Sequence, residues 1–195
     1  EPGQRLFDHS VGILQLVSRA TEDIEAARDV PAGRIVIGLT PSMGRRLTLP
    51  LVESFRHALP KARLVIVEGL SNHLTEWIAT GRVDLGLVLN PEPNAAIEVT
   101  RILDEPLGLV GPRGKQGKGG KGDRSTPVTL GELVTYPLIL PERSHALRKL
   151  LETQAALSSI KLDVSLEVSS VQSILDLVAA GYGYAVLSRT ALRAS

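Results

Sequence analysis

Several residue types are missing or scarce in this chain of 195 residues, and each absence narrows what the chain can do. There is no cysteine, which excludes thiolate catalysis, cysteine-based zinc sites and disulfide bonds. Aromatic residues make up only 3% of the sequence, so any core must be built from aliphatic side chains. The formal net charge of +1 gives no overall attraction to nucleic acid. No apolar run approaches the roughly 18 residues of a membrane-spanning helix, so we expect no membrane partner.

The ends of the chain and its composition suggest where it comes from. The sequence begins Glu1-Pro2-Gly3, without a methionine or a signal-like segment, and we expect a fragment from the middle of a longer protein. The absence of cysteine agrees with a reducing compartment, and we expect a cytoplasmic protein. The length suits one ordinary domain or two small lobes around separate cores.

The first 30 residues carry a heptad repeat of mostly apolar side chains. The spacing predicts an amphipathic helix over residues 4–28, ended by the proline and glycine that follow. Such a helix either packs on its own domain, as the wider apolar stripe at its start suggests, or pairs with a second chain. We favour pairing, because the helix stands outside the alternating pattern that follows, and expect residues 1–30 to form a dimerisation helix. The heptad positions are Leu6, Ser10, Ile13, Val17, Ala20, Ile24 and Ala27.

Residues 34–89 alternate between short apolar runs and amphipathic segments. Residues 34–39 form a near-continuous apolar run, which is typical of a parallel strand covered on both faces. Alternating strands and helices indicate an α/β fold in which helices cover a parallel sheet. The pattern predicts strands at 34–39, 63–68 and 83–89, with helices at 44–59 and 71–80.

A second alternating unit follows the first. Residues 113–124 contain five glycines and five basic residues, and we expect them to form a mobile surface loop. Thr129 and Glu132 have the spacing of a capping box, which predicts a short helix there. The presence of two similar halves suggests two lobes with a cleft between them. The pattern predicts strands at 106–110, 137–140, 163–168 and 183–187, with helices at 144–157 and 171–180.

The sequence contains no recognisable catalytic or metal-binding motif. The four histidines are scattered, no pair has helical ligand spacing, and HExxH is absent. Ser42 lacks the first glycine of a GxSxG nucleophile elbow. The glycine- and lysine-rich loop lacks the GxxxxGKS or GxxxxGKT pattern of a phosphate-binding loop. We therefore expect no enzyme activity, no cofactor and no metal ion.

Small polar residues stand at the turns that follow the expected strands. Ligands of open parallel α/β sheets bind beyond the carboxyl ends of the strands, where helix N-termini offer N–H groups and a partial positive charge. A helix N-cap is the more ordinary role for any single serine. The set as a whole favours a site for a small organic anion, with Ser42 and Ser71 binding its charged group. The candidate binding residues are Thr40, Ser42, Met43, Gly44, Ser71, Asn90, Pro91, Pro141, Ser144 and Ser169.

Short motifs are distributed along nearly the whole chain in a characteristic order and spacing. The strongest is Gly-Arg-Val-Asp-Leu-Gly-Leu at residues 81–87, preceded by Glu68-Gly69 and Leu74. The others are the first strand at 33–38, Leu49-Pro50 with Phe55 and Pro60, and the segments 136–139 and 178–183. Together these motifs resemble those of the LysR-type transcriptional regulators.

The resemblance implies a two-lobed fold like that of type 2 periplasmic binding proteins, preceded by a long linker helix that pairs protomers. Residues 34–109 would form lobe I and residues 110–195 lobe II, with a small effector between them. It also implies effector contacts from Ser42, Met43, Ser71, Asn90, Pro141 and Ser169.

The same resemblance implies particular partners. We expect a homodimer or tetramer through the linker helix and lobes. DNA would bind only through a winged helix-turn-helix that precedes Glu1 and is absent here. RNA polymerase is a further partner that the family suggests. The family's last strand and helix, which return to lobe I, are also absent, and the basic loop at 113–124 is longer than the family leads us to expect.

Two other kinds of protein have the same general pattern. An extracytoplasmic solute-binding protein has the same fold, but it usually works as a monomer and has no use for a dimerisation helix. An α/β enzyme is the other alternative, and the lack of a nucleophile–base pair or metal set argues against it. We therefore favour the effector-binding domain of a LysR-type regulator.

Overall fold

The computed structural model describes residues 2–25, 33–112 and 127–193. The chain divides into two compact units, Glu1–Arg101 and Ile102–Ser195. The glycine- and lysine-rich loop at 113–124 and the last heptad position, Ala27, lie outside the described residues. Within the described ranges, no helix combines the length and the hydropathy needed to cross a membrane.

The chain begins with helix α1, Pro2–Glu25, so the helix that the heptad repeat predicts is present. Its apolar seam is exposed, since Leu6, Ile13 and Val17 are 69%, 60% and 60% accessible to solvent. The helix contacts its own unit through Gly12, which is buried so close to the Thr80 carbonyl that a side chain there would overlap it. Helix α1 therefore contacts the unit at Gly12, while these three seam residues stay exposed.

Three parallel strands form the sheet of the first unit, in the order β2-β1-β3. In the central strand, Leu39 lies opposite Glu68 of β2 and Leu87 of β3. The carboxyl ends of the three strands therefore lie side by side, and the α/β fold expected for this unit is confirmed. The elements are β1 (Gly33–Leu39), α2 (Pro41–Ala58), β2 (Ala62–Glu68), α3 (Ser71–Ala79) and β3 (Leu85–Leu87).

The central strand carries the core of this unit. Val36, Ile37 and Leu39 of β1 are buried together with Leu74 of α3 and with Val83. The apolar run that predicted β1 is apolar because the strand has a neighbour on each side and helices packed on the sheet. This packing anchors the strand end from which α2 begins.

Residues 81–87, the strongest motif in the sequence, form the turn into β3. Gly81 has a φ of +75°, in the left-handed region where a side chain is disfavoured. Asp84 Oδ2 accepts a hydrogen bond from Val36 N at 2.7 Å, and Asp84 N donates to Val36 O at 3.0 Å. The aspartate thus fastens the approach to β3 onto the middle of β1.

In the described part of the second unit, β4 pairs with β7 and β5 pairs with β6. Ile139 N donates to Tyr184 O at 2.7 Å, which joins β5 to the segment leading into β7. Ile139 is buried with Ile174, Val178 and Leu187 in an aliphatic core, as the scarcity of aromatic residues predicts. The elements are β4 (Leu107–Val110), a 3-10 helix (Gly131–Thr135), β5 (Leu138–Leu140), α4 (Ala146–Leu157), β6 (Val164–Glu167), α5 (Val171–Ala179), β7 (Ala185–Ser188) and α6 (Arg189–Arg193).

The structure differs from the expected pattern at several boundaries. Helix α2 begins at Pro41 rather than at residue 44, because proline suits the first position of a helix, where no N–H is needed. Helix α4 begins at Ala146 rather than at residue 144, because His145 is its N-cap. Strand β4 runs antiparallel to β7, a direction that an apolar pattern does not specify. The short helix α6 has no counterpart in the expected pattern.

Candidate functional site

The carboxyl edge of the β2-β1-β3 sheet gathers the candidate residues of the first unit. Thr40 follows β1 directly, and Gly69 follows β2, where Gly69 N donates to Leu39 O at 3.1 Å. Helices α2 and α3 both begin within three residues of these strand ends. Their first turns therefore flank the end of the central strand, which is the position where ligands of parallel α/β sheets bind.

The start of α2 has one buried side-chain donor without a described partner and backbone N–H groups without acceptors in the helix. Thr40 is the N-cap residue, but its side chain makes no capping hydrogen bond. Its hydroxyl, Oγ1, is buried and has no hydrogen-bond partner among the residues that the structure describes. Pro41 has no N–H, and Gly44 N donates to Thr40 O at 2.8 Å. The N–H groups of Ser42 and Met43 thus belong to the first helical turn, where no preceding carbonyl of the helix can accept them.

The start of α3 is similar but uses its serine differently. Its N-cap is Leu70, whose side chain cannot accept a hydrogen bond, and Leu74 N donates to Leu70 O at 2.9 Å. Ser71 is buried and its Oγ accepts a hydrogen bond from Leu89 N at 3.0 Å. A hydroxyl that accepts in this way keeps its own hydrogen, so Ser71 still has a donor at this edge.

The segment after β3 completes the same edge. Leu89, bonded to Ser71, is followed by Asn90, which has a φ of +43° and is exposed, and by Pro91. The left-handed conformation suits asparagine better than most side chains. Asn90 and Pro91 therefore lie directly after Leu89, which is hydrogen-bonded to Ser71 of α3. The sequence predicts this position, because the two residues follow the third strand.

This edge has the chemistry of an oxyanion-binding site. Two helix starts provide unpaired N–H groups and the positive ends of two helix dipoles. Thr40 and Ser71 are 5% and 8% exposed, so their hydroxyls add donors that belong to buried residues. A carboxylate accepts hydrogen bonds through both of its oxygens, so donors from both helix starts suit it.

The helix starts of the second unit are arranged differently. His145 Nδ1 accepts from Leu147 N at 3.2 Å, and Ser170 Oγ accepts from Ser173 N at 3.4 Å. Both α4 and α5 are therefore capped by their own chain. The candidates Ser144 and Ser169 are exposed and are not the capping residues. The cap of α5 is Ser170, one residue after the candidate Ser169, and the cap of α4 is His145, one residue after the candidate Ser144.

A buried arginine with two partly exposed carboxylate partners contacts the remaining candidate, Pro141. Arg148 is 3% exposed and donates to Pro141 O at 3.1 Å. Its guanidinium also bonds Glu152 Oε1 at 2.7 and 2.8 Å and Glu167 Oε2 at 3.4 Å. Arg148 lines a cavity of about 450 Å³ beside α4 and β6. Because these partners compensate its charge, the arginine holds α4 against the strands rather than offering a charge to a ligand.

In the described part of the chain, the cavity beside α4, a second cavity and the arrangement of the carboxylates do not indicate a catalytic or metal centre. A second cavity of about 330 Å³, between β1, β3 and α2, is lined by aliphatic residues, a proline and one serine. Over the described ranges, no cluster of three histidine, aspartate or glutamate side chains is placed to hold a metal ion. The uncapped edge of the first unit is therefore the arrangement best suited to binding a small molecule.

Comparison with known protein families decides what kind of domain this is. The profile of the LysR substrate binding domain matches residues 28–195, which is most of the chain. The chain belongs to this family. The fold expected from the sequence motifs, two-lobed and similar to type 2 periplasmic binding proteins, is thereby confirmed.

Relatives of this LysR domain are transcriptional regulators, which are not enzymes. It is 26% identical over 194 residues to the nitrogen assimilation regulatory protein nac of Klebsiella aerogenes, covering 99% of this chain and 61% of that protein. It is 25% identical to the HTH-type transcriptional regulator BbuR of Bordetella bronchiseptica, covering 96% of this chain and 56% of that protein. The LysR domain thus spans about three-fifths of the relatives it matches.

Solved structures similar to this LysR domain support the same fold. The BenM effector binding domain with its effector benzoate superposes with a TM-score of 0.71 at 22% identity, covering 84% of this chain and 72% of that one. The effector binding domain of QuiR in complex with shikimate gives a TM-score of 0.70 at 18% identity, covering 82% of this chain and 75% of that one.

Within this LysR domain, the structure brings one group of candidates together and describes the other in a separate unit. Pro141, Ser144 and Ser169 belong to the second unit, Ile102–Ser195. Two residues at the first-unit edge were missed by sequence reasoning: Leu89, which bonds Ser71, and Glu68, whose carboxylate lies against Gly44. Glu68 was part of a family motif, but nothing in its spacing pointed to the start of α2. The candidates at the first-unit edge are Thr40, Ser42, Met43, Gly44, Ser71, Asn90 and Pro91.

Proposed function

We propose that this chain is the effector-sensing part of a LysR-type transcriptional regulator. A small organic anion binds at the carboxyl edge of the β2-β1-β3 sheet, and the protein passes this signal to a DNA-binding domain elsewhere in the full-length regulator. The predicted lobes, 34–109 and 110–195, are part of this proposal, with Pro141, Ser144 and Ser169 as proposed ligand contacts from the second.

The observation that carries the proposal is the buried hydroxyl of Thr40. Leaving a buried donor without a partner costs about 1–3 kcal/mol, so such groups are rare unless something else supplies the partner. Thr40 Oγ1 is in this state at the N-cap of an uncapped helix. An anion at the start of α2 accepts hydrogen bonds from this hydroxyl and from the adjacent N–H groups at once.

The ligands named for two similar domains agree with an anion. Benzoate, the effector in the BenM structure, and shikimate, the molecule bound in the QuiR complex, are both carboxylates. Both carry a carboxylate, which suits the donors at the first-unit edge of this chain. Their rings differ, so other residues would determine which carboxylate this chain binds.

The assembly follows from the same proposal. Two chains pair through the exposed seam of α1, within a dimer or tetramer to which the lobes also contribute. The regulator acts on DNA in the cytoplasm through a winged helix-turn-helix domain, with RNA polymerase as a further contact. The regulators among its relatives support this assignment over a solute-binding protein.

The substitution Thr40→Val tests the proposed site. It removes the hydroxyl while keeping a similar shape, so affinity for a bound carboxylate should fall about 10- to 100-fold, the equivalent of a hydrogen bond to a charged group. The free protein should melt at the same temperature or higher, because an unpaired buried hydroxyl is lost. Small carboxylates, including benzoate and shikimate, would be screened by thermal shift, and the tightest would be titrated by calorimetry.

Thr48→Val is the matched control, because Thr48 is an exposed threonine on the same helix. It should leave affinity unchanged. If Thr40→Val lowered the melting temperature and left affinity intact, the Thr40 hydroxyl would be a structural group and the proposed site would be wrong. If no carboxylate raised the melting temperature of the unmodified chain, the anionic class of effector would be wrong.

A further inference from the structure

Glu68 brings a negative charge to the edge that we propose binds an anion. It is the last residue of β2 and lies opposite Leu39, so its backbone is beside the end of the central strand. The next residue, Gly69, donates its N–H to Leu39 O at 3.1 Å and fixes this position. Glu68 is therefore the neighbour, across the sheet, of the residue that directly precedes Thr40.

The side chain of Glu68 is directed at the first turn of α2. A Cβ at Gly44 would overlap Glu68 Oε1 and would lie 3.0 Å from its carboxyl carbon. Gly44 is buried, and it is the fourth residue of the helix that begins at Pro41. Glycine at this position is thus what allows the carboxylate to lie against the first turn of α2.

At this position, the Glu68 carboxylate is attracted by α2 but repels an anionic ligand. The positive end of the α2 dipole attracts its carboxylate, as it attracts an anionic ligand. Glu68 is exposed, so water partly screens its charge, but its repulsion of a second carboxylate still weakens the binding of a plain carboxylate. A ligand that also carries a hydroxyl or amino group replaces that repulsion with a hydrogen bond to an ionised acceptor, which is among the stronger hydrogen bonds.

We propose that Glu68 selects an effector that carries a hydroxyl or amino group near its carboxylate. The inference rests on the proposed effector site at the start of α2, whose buried Thr40 hydroxyl has no described partner. In that site, the ligand carboxylate binds Thr40 and the helix N–H groups, while the ligand's donor binds Glu68. The ligand class is therefore hydroxy- or amino-carboxylic acids rather than simple carboxylic acids.

Matched pairs of carboxylates test the selection. Benzoate would be compared with 3-hydroxybenzoate, and cyclohex-1-enecarboxylate with shikimate, by calorimetry on the 195-residue chain and on its Glu68→Gln variant. The unmodified chain should bind the hydroxylated member of at least one pair about tenfold more tightly. In Glu68→Gln the preference should fall to about threefold or less, mainly because the plain carboxylate gains affinity as the like charge is removed.

Glu53→Gln is the control for net charge, because Glu53 is an exposed glutamate on α2, beyond Gly44. It should leave both affinities and the preference as they are. An unmodified chain that binds carboxylates without a preference, or a preference that survives Glu68→Gln, overturns the role of Glu68 while the proposed site stands. If no member of any pair binds either protein, or if Thr40→Val has no effect on a bound member, the proposed site itself fails and this inference with it.

Discussion

At the scale of single residues, Thr40 and Ser71 show how two buried hydroxyls at one edge come to have different roles. Ser71 Oγ already accepts a hydrogen bond from Leu89 N, so part of its value is structural. Thr40 Oγ1 has no such partner within the described residues, and the proposed site assigns its hydrogen bond to the ligand. Neither Ser42 nor Ser71 is an N-cap, which was the ordinary role for a serine in these turns.

This difference predicts that Ser42→Ala and Ser71→Ala will separate stability from binding. Ser71→Ala should lower the free energy of unfolding by about 1 kcal/mol or somewhat more, because Leu89 N loses its acceptor. Ser42→Ala should leave stability nearly unchanged, because no hydrogen bond of its hydroxyl contributes to the fold among the described contacts. Urea denaturation of the two variants measures this difference.

Both variants should also weaken binding of the tightest carboxylate about tenfold if both serines donate to the ligand. Ser173→Ala, at a half-buried serine on α5, is a control that should leave carboxylate affinity unchanged. Equal stability of Ser42→Ala and Ser71→Ala would contradict the structural hydrogen bond at Leu89. Unchanged affinity in both would remove the serines from the proposed site and leave Thr40 with the backbone donors.

At the scale of elements, the start of α4 contains a histidine whose capping role depends on pH. His145 Nδ1 can accept from Leu147 N only when the imidazole is neutral. Burial lowers the pKa of His145 below its ordinary value of 6.5, and the nearby charge of Glu142 partly offsets this effect. Because the folded-state pKa is depressed, the cap stabilises the protein above the unfolded-state pKa and is lost as the pH falls through the folded-state value.

His145→Asn tests this cap, because asparagine caps a helix well but does not titrate. Between about pH 8 and pH 5, the unmodified chain should lose about 1 kcal/mol of unfolding free energy relative to the variant. Chemical denaturation across this pH range measures the difference. His57 is an exposed histidine at the end of α2, so His57→Asn should show the same pH dependence as the unmodified chain. Parallel pH profiles for the unmodified chain and His145→Asn would show that the cap does not titrate.

The elements also show what local sequence can and cannot specify. The aliphatic run of β1 and the capping box at Thr129 and Glu132 were predicted correctly, because each depends only on nearby residues; Thr129 N donates to Glu132 Oε2 at 2.7 Å. The start of α4 was missed because histidine is an uncommon N-cap compared with serine. The antiparallel direction of β4 was missed because alternation of side chains is the same in both directions.

At the scale of the whole molecule, the sequence predicted where a site would be but not how its residues interact. That the turns after β1 and β2 share one edge follows from parallel strands alone, and the register of Leu39 with Glu68 agrees. The hydrogen bond between Ser71 and Leu89 joins residues separated by two elements, and no periodicity reports such a contact. The binding residues assigned to both lobes stay a prediction.

Assembly of the whole molecule provides the last prediction. Helix α1 contacts its own unit at Gly12, while Leu6, Ile13 and Val17 of the heptad seam remain exposed. Burying such a side chain against a second chain contributes about 1.5 kcal/mol or more, and each seam residue contributes from both copies. The double substitution Ile13→Glu with Val17→Glu should therefore separate the paired chains, because it places four charges in the seam of a dimer.

Light scattering at micromolar concentration should show the particle mass of the double variant fall to that of a single chain. Gln4→Glu with Ser18→Glu adds the same charge at exposed positions outside the heptad seam, and it should leave the mass of the unmodified chain unchanged. Loss of association in both variants would assign the effect to net charge rather than to the seam. An unchanged mass in the seam variant would mean that α1 does not pair protomers, and the linker helix would then owe its apolar stripe to some other contact of the full-length regulator.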